Sequence, residues 1–211
     1  MPIFHYDIEQ RSEEWDAIKL GKVSGSQAKR IMGDRGGYRS YRSELIAERI
    51  TSERKEIQIT KSMQRGIHLE PQALAQYAIR ENRVMTSVGF VELTKDIGCS
   101  PDDLADNDGI VEIKCPNRDT HINSLIENKI PCLNVYQCFF NLWVCDRDWC
   151  DFVSYSPELP SEWNYFIKRV YKDEVLGVGR GEKSMAKLKD KVAAFVENLN
   201  QEIDKRKGQC Q

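Results

Sequence analysis

The segment Gly109-Ile110-Val111-Glu112-Ile113-Lys114 constrains the fold of this chain more than any other. Its β-branched, apolar residues read as a strand, and a strand this apolar is largely buried. It nevertheless carries a carboxylate and an ammonium group. Glu112 and Lys114 are two residues apart, so they project from one face while Val111 and Ile113 project from the other. Lone buried charges are expensive. Glu112 and Lys114 therefore need each other, a metal ion or a bound anion. Upstream, Asp106-Asn107-Asp108-Gly109 is turn chemistry for a hairpin, and before it lies Cys99-Ser100-Pro101-Asp102-Asp103. A hairpin puts Asp102 at the end of the preceding strand, across from Glu112, while Asp103 reads as a turn residue in preference to an extra outer-shell acid. Two carboxylates converging at a sheet edge form a hard oxygen site suited to Mg2+ or Mn2+. A lysine beside them can stabilise developing charge or orient an attacking water, which fits metal-assisted phosphodiester hydrolysis. A Glu-x-Lys strand is ordinarily an exposed cross-strand ion pair. The Ser-Pro-Asp block and the apolar surroundings argue against that here.

The rest of the chain supplies the frame. Ser12 is expected to cap a short helix through Leu20, with Trp15 and Ile18 on one face and Gly21 at its end. Ser24 is expected to cap a second helix that Gly33 stops. Asp34 to Tyr38 reads as a flexible charged loop, and an amphipathic helix with Leu45, Ile46 and Ile50 follows. A longer helix runs from about Lys61 to Asn82, with Pro71 either starting a new segment or kinking a continuous one. TSVGFVELT then alternates like one strand, and IGCSP is short and extended. After the GIVEIK strand come a helix around Asp119 to Glu127 and a very apolar helix opened by Pro131. Two strands, WCDFVSYSP and YFIKRVY, precede a charged helix or helix pair from about Lys172 to Lys207. This order predicts an α/β fold with a mixed central sheet flanked by helices. A chain of 211 residues is expected to form one domain, residues 1–211, with a helical N-terminal part (about 12–82) and a C-terminal helical extension (about 172–207).

A formal net charge of −2 argues against coating nucleic acid by bulk basicity, but leaves room for a local basic groove. The seven cysteines, Cys99, Cys115, Cys132, Cys138, Cys145, Cys150 and Cys210, contain no CxxC pair and fit no ferredoxin-type spacing. They read as small buried side chains in a reduced, cytoplasmic protein. No stretch has the length of a membrane span, and the N-terminus lacks the marks of a signal peptide.

Pro101-Asp102, nine residues, then Glu112-Ile113-Lys114 resembles the PD-(D/E)xK nuclease signature. Within that superfamily the chain resembles the phage lambda exonuclease (YqaJ-type viral recombinase) family. WDAIKLGKVSGS, Trp15 to Ser26, is similar to the family's W…R-x-G-x-x-[ST]-[AG]-S box. Arg65 to Glu70 is similar to its G-x-x-x-E helix, and CSPDDL and VEIKCP to its SPDG and [LV]E[IL]K[CT]P blocks. Val135-Tyr136-Gln137 with Leu142-Trp143-Val144 is similar to its Q-V-Q helix, although Phe139 stands at the second Gln. Five blocks in family order span about residues 12 to 156.

The resemblance implies a restriction-endonuclease-like core and assigns roles. Asp102, Glu112 and the Ile113 carbonyl would hold Mg2+, as two ions in the family's manner, with Glu70 helping at the second. Lys114 would position or activate the water, and Gln137 would orient the water or the scissile phosphate. Lys19, Ser26 and Ser100 would bind a 5′-terminal phosphate. Lys19 stands where lambda exonuclease carries Arg, so a bidentate fork becomes a point charge. Arg35, with Arg39 and Arg42 beyond it, is the expected duplex contact. The implied activity is 5′ to 3′ digestion of one strand of linear double-stranded DNA, leaving 3′ overhangs. The implied setting is phage or prophage recombination in the bacterial cytoplasm, by a ring-shaped homotrimer acting with a single-strand annealing protein and no membrane. The rivals are a Cas4-like or restriction-type nuclease of the same superfamily, and a non-catalytic DNA-binding module. A Cas4-like protein would need a cysteine before Cys99, and the intact Asp102, Glu112 and Lys114 set argues against a silent module.

Overall fold

The computed structural model describes residues 1–55, 58–177 and 182–209; Cys210 lies outside them. Two sheets share the strands. A three-stranded antiparallel sheet has the order β1-β3-β4, with β1 Ile3–His5, β3 Phe90–Thr94 and β4 Ile97–Cys99. A five-stranded sheet has the order β2-β5-β6-β7-β8, with β2 Met85–Thr86, β5 Asp103–Ala105, β6 Gly109–Lys114, β7 Trp149–Tyr155 and β8 Tyr165–Tyr171. Only β6 and β7 run parallel within it, because two helices, α5 Arg118–Glu127 and α6 Cys132–Cys145, make the crossover between them. The mixed sheet flanked by helices is as expected.

Sequence period and burial agree along β6, where every residue but Lys114 is buried. Ile110 and Glu112 face the large core under α6, while Val111 and Ile113 face a smaller core closed by Ala73 and Tyr77 of α4, Lys61–Glu81. β7 divides the same way, with Cys150 and Phe152 toward α6 and Trp149, Val153 and Tyr155 toward α4. Helix α4 is continuous, with Pro71 inside it. Thr60 caps it by accepting from the Met63 N–H.

Four helical elements cover the other side: α1 Glu13–Lys19, a 3-10 turn Gly25–Gln27, α2 Ala28–Met32 and α3 Arg35–Thr51. The Ser12 hydroxyl accepts from Trp15 N–H and opens α1 as expected. The Ser24 side chain makes no cap bond, contrary to expectation; its backbone N–H donates to the Tyr41 hydroxyl instead, at 3.2 Å. The expected loop Asp34 to Tyr38 is the start of α3. Asp34 accepts from Gly37 N–H at 2.7 Å, and an N-cap carboxylate supports a first turn even where two glycines lack intrinsic helix preference.

Three further differences have local causes. The N-terminal strand β1 is too short to show a period. TSVGFVELT is two strands in two sheets, divided at Gly89, where a β-carbon would lie 1.9 Å from the Ile8 carbonyl oxygen. The C-terminal helix α7, Met185–Gln209, begins well after Lys172. Ser184 accepts from Lys187 N–H at its start. Leu188, Val192, Phe195 and Leu199 of α7 are completely buried, and Phe195 packs on the Tyr38 and Tyr41 rings of α3. No helix among the described residues is long and apolar enough to cross a membrane.

Candidate active site

The hairpin between β5 and β6 pairs Asp103 with Val111, so Asp102 enters opposite Glu112. Asp102 Oδ2 accepts from the Ile113 N–H at 2.5 Å, which fixes the carboxylate against the strand. Lys114 Nζ contacts Glu112 Oε1, donates to the Ile113 carbonyl at 3.0 Å and lies 4.0 Å from Asp102 Oδ2. Asp102, Glu112, Ile113 and Lys114 thus meet at one point, at the edge where β6 ends.

Glu112 is completely buried, and its second oxygen accepts from Asn141 Nδ2 at 3.0 Å. Asn141 is itself 1% exposed and belongs to α6. No motif in the sequence marks it. The signal was there, since an amide in the run Phe139-Phe140-Asn141-Leu142 needs a buried partner. Gly25 makes this contact possible, because a β-carbon there would stand 2.4 Å from Asn141 Oδ1. Gln137 lies half-buried four residues before Asn141, one turn away on the same helix face.

The electrostatics of the cluster are set by burial and by neighbouring like charge. Burial, and then the Asp102 charge, push the Glu112 carboxyl up to about 8, against the opposing pull of Lys114. Burial would pull the Lys114 ammonium down, but Glu112 and Asp102 outweigh it and hold the group above the usual lysine range. Glu70 of α4 is raised by burial and by Asp102, with Arg11 opposing; Arg11 Nη2 lies 3.0 Å from its Oε2. Asp103 is no turn residue. It is the buried first residue of β5, and burial raises it to about 6. The strand pairing that places Asp102 also pulls its neighbour inward.

Among the described residues, no three His, Cys, Asp or Glu side chains close on one point as a ready cation cage. The Lys114 ammonium instead sits where the oxygens of Glu112, Ile113 and Asp102 converge. The donor set nevertheless fits a divalent cation: carboxylates and a carbonyl are all hard oxygen ligands.

Of the three residues expected to form an anion pocket, Lys19 and Ser100 both touch Trp15. Its indole N–H donates to Ser100 Oγ at 2.8 Å, and Lys19 Nζ stands 3.5 Å from the ring centroid. Burial first, and then Arg54, lower Lys19 to about 7. Arg54, which no sequence pattern marked, also faces the Trp15 ring at 5.6 Å and pairs with Asp16. Ser26 is exposed on the 3-10 turn, its Oγ 3.5 Å from that of Ser24. Arg35 is exposed in the first turn of α3. Among the described residues no hydrogen bond or ion pair joins Ser26, Arg35 or Gln137 to the carboxylate cluster. Arg42 is engaged elsewhere, donating to Asn198 Oδ1 of α7 at 2.6 Å.

The alkaline exonuclease LHK-Exo of Laribacter hongkongensis is 34% identical in sequence, over 94% of this chain and 98% of its own, and superposes with a TM-score of 0.83. The same protein solved in complex with dAMP gives the same values. A phage related exonuclease of Haemophilus somnus 129PT, 14% identical over 90% of this chain and 96% of its own, shares the fold with a TM-score of 0.63. Among curated protein sequences none matches the chain. The YqaJ-like viral recombinase domain matches residues 14–148, a span that runs from the helix of Trp15 and Lys19 through Glu70, Asp102, Glu112 and Asn141, and the chain belongs to that family.

Proposed function

We propose that the chain is a divalent-metal-dependent deoxyribonuclease that digests one strand of linear double-stranded DNA from its 5′ end and leaves a 3′ overhang. The observation that carries this reading is the convergence of Asp102, Glu112, the Ile113 carbonyl and Lys114 beside Glu70, in a chain 34% identical to an alkaline exonuclease. That relative also binds dAMP, a molecule with the form of a released nucleotide.

Asp102, Glu112, the Ile113 carbonyl and Glu70 would hold Mg2+, with Mn2+ as a substitute and two ions as the full complement. The cation supplies Lewis-acid stabilisation of the charge that builds on the phosphate. Asn141 keeps Glu112 in place through its second oxygen. Lys114 orients the attacking water and holds positive charge beside it. Gln137, on the same face of α6, orients the water or the scissile phosphate. Lys19, Ser100 and Ser26 receive the terminal phosphate, and Arg35 contacts the duplex. We further propose a ring-shaped homotrimer that hands the overhang to a single-strand annealing protein, in recombination within a host cytoplasm.

The test is digestion of end-labelled linear duplex with Mg2+, beside a closed circle of the same sequence. Loss of label from the 5′ end, an intact circle and no cleavage after metal removal are expected. Lys114→Ala should lower the rate at least about a hundredfold, in the range of a lost acid–base group, while leaving DNA binding in place. Cleavage of the circle, or a fully active Lys114→Ala, would overturn the reading.

A further inference from the structure

The chain between β1 and α1 crosses both halves of the site. Gln10 Nε2 donates to the Pro101 carbonyl at 2.9 Å and to the Val88 carbonyl at 3.1 Å, which pins this segment beside Asp102. Arg11 then reaches across to α4, with Nη2 at 3.0 Å and 3.4 Å from the two Glu70 oxygens. Ser12 caps the helix that carries Trp15 and Lys19. Arg11 does this at a φ of 74°, a left-handed backbone that glycine adopts freely and an arginine does not. Its side chain is 47% exposed. A strained, half-exposed arginine thus stands on a carboxylate of the proposed metal centre, next to the proposed phosphate pocket.

We infer that Arg11 is a substrate-binding residue, which rests on Glu70 when no cation is bound and moves onto a DNA phosphate when a divalent cation takes Glu70. This rests on the metal-dependent nuclease reading above. A divalent cation on Glu70 would compete with the guanidinium for the same two oxygens, and repulsion between the two positive charges would weaken the 3.0 Å contact. A bound cation thus favours release of the guanidinium, and the Gln10 bonds limit where it goes. They hold the Arg11 backbone beside Pro101, so the released side chain stays near Asp102 and the Trp15–Ser100 pair. A planar guanidinium there matches a phosphodiester, which it can bind with two parallel hydrogen bonds. Cation and DNA would then bind cooperatively, because the first frees a ligand for the second.

The experiment compares the intact chain with Arg11→Gly and Arg11→Lys. Calcium alone is titrated calorimetrically, and a labelled 5′-phosphorylated duplex is titrated by fluorescence anisotropy with and without calcium. Glycine suits the left-handed backbone, so Arg11→Gly keeps the fold and reports the side chain. Arg11→Gly is expected to bind calcium several-fold more tightly, for want of its internal competitor. In calcium it should bind the duplex roughly tenfold more weakly, with a salt slope reduced by about one; without calcium its DNA affinity should match the unaltered chain. Arg11→Lys should recover part of the duplex affinity. Unchanged duplex affinity in calcium, or weaker calcium binding by Arg11→Gly, would overturn the inference and leave the nuclease reading standing. An unaltered chain that binds neither calcium nor duplex would overturn both.

Discussion

At the residue scale, Lys19 holds the most consequential substitution. Burial and the nearby Arg54 bring its ammonium down to about 7, whereas an arginine in that place would stay charged throughout. Below about pH 7 the group is charged and, in the proposed pocket, would attract a terminal phosphate; as pH rises through about 7 it loses its proton, and that attraction would fall with it. A bound phosphate dianion favours the charged form, so the midpoint with substrate lies above 7. The preference for 5′-phosphoryl over 5′-hydroxyl ends should therefore decline between about pH 7 and 9, following a single titration set by the lysine. Lys19→Arg should hold it constant. Rates on the two ends, measured in parallel over that range, decide the matter: a preference that is flat in the unaltered chain removes Lys19 from phosphate recognition.

At the element scale, α6 supports the carboxylate cluster from beneath, and the 3-10 turn at Gly25 locks it. Gly25→Ala places a methyl group 2.4 Å from Asn141 Oδ1, so Asn141 must turn or α6 must shift. Overpacking of this kind costs about 1–3 kcal/mol, and a Glu112 oxygen left without its donor adds about 1–3 kcal/mol. Urea unfolding should show a destabilisation of that order, with divalent-cation affinity falling alongside. Tight cation binding by a destabilised Gly25→Ala would show that Asn141 plays no part in holding Glu112. These contacts also mark what the sequence could and could not reveal. The β6 strand was legible because its apolar period forced Glu112 and Lys114 onto one face, and the hairpin turn then placed Asp102. The Gly25–Asn141 contact was not, because it joins residues more than a hundred positions apart and leaves no local period. Strands β2 and β3 read as one for a related reason: which sheet a strand joins is decided by its neighbours in space, here the Ile8 carbonyl against Gly89. Asp103 deceived because Asp-Asp looks like a turn, while its pairing with Val111 makes it a buried strand residue.

At the scale of the whole molecule, the site stands on packing contributed from both ends of the chain. Helix α7 lies against α2, α3 and α6, so the last helix braces the helices that carry Asn141, Gly37 and Arg35. Polar contacts run beside the apolar seam: Arg49 of α3 donates to Asn200 at 2.7 Å and pairs with Asp96 at 2.8 Å, and Arg42 reaches Asn198. At the centre of the seam Phe195 is completely buried between two tyrosine rings. Phe195→Ala removes a ring that neither α3 nor α6 can replace without moving, a change that typically costs about 3–5 kcal/mol. Helix α7 supplies none of the carboxylate, lysine or phosphate-pocket residues. The variant should thus lose stability by that amount in urea unfolding, yet cleave linear duplex at close to the normal rate at temperatures where it remains folded. The two measurements separate a brace from a working part. Normal stability would mean the seam relaxes around the void, and a folded but inactive variant would mean that α7 sets the position of α6, and through Asn141 the position of Glu112.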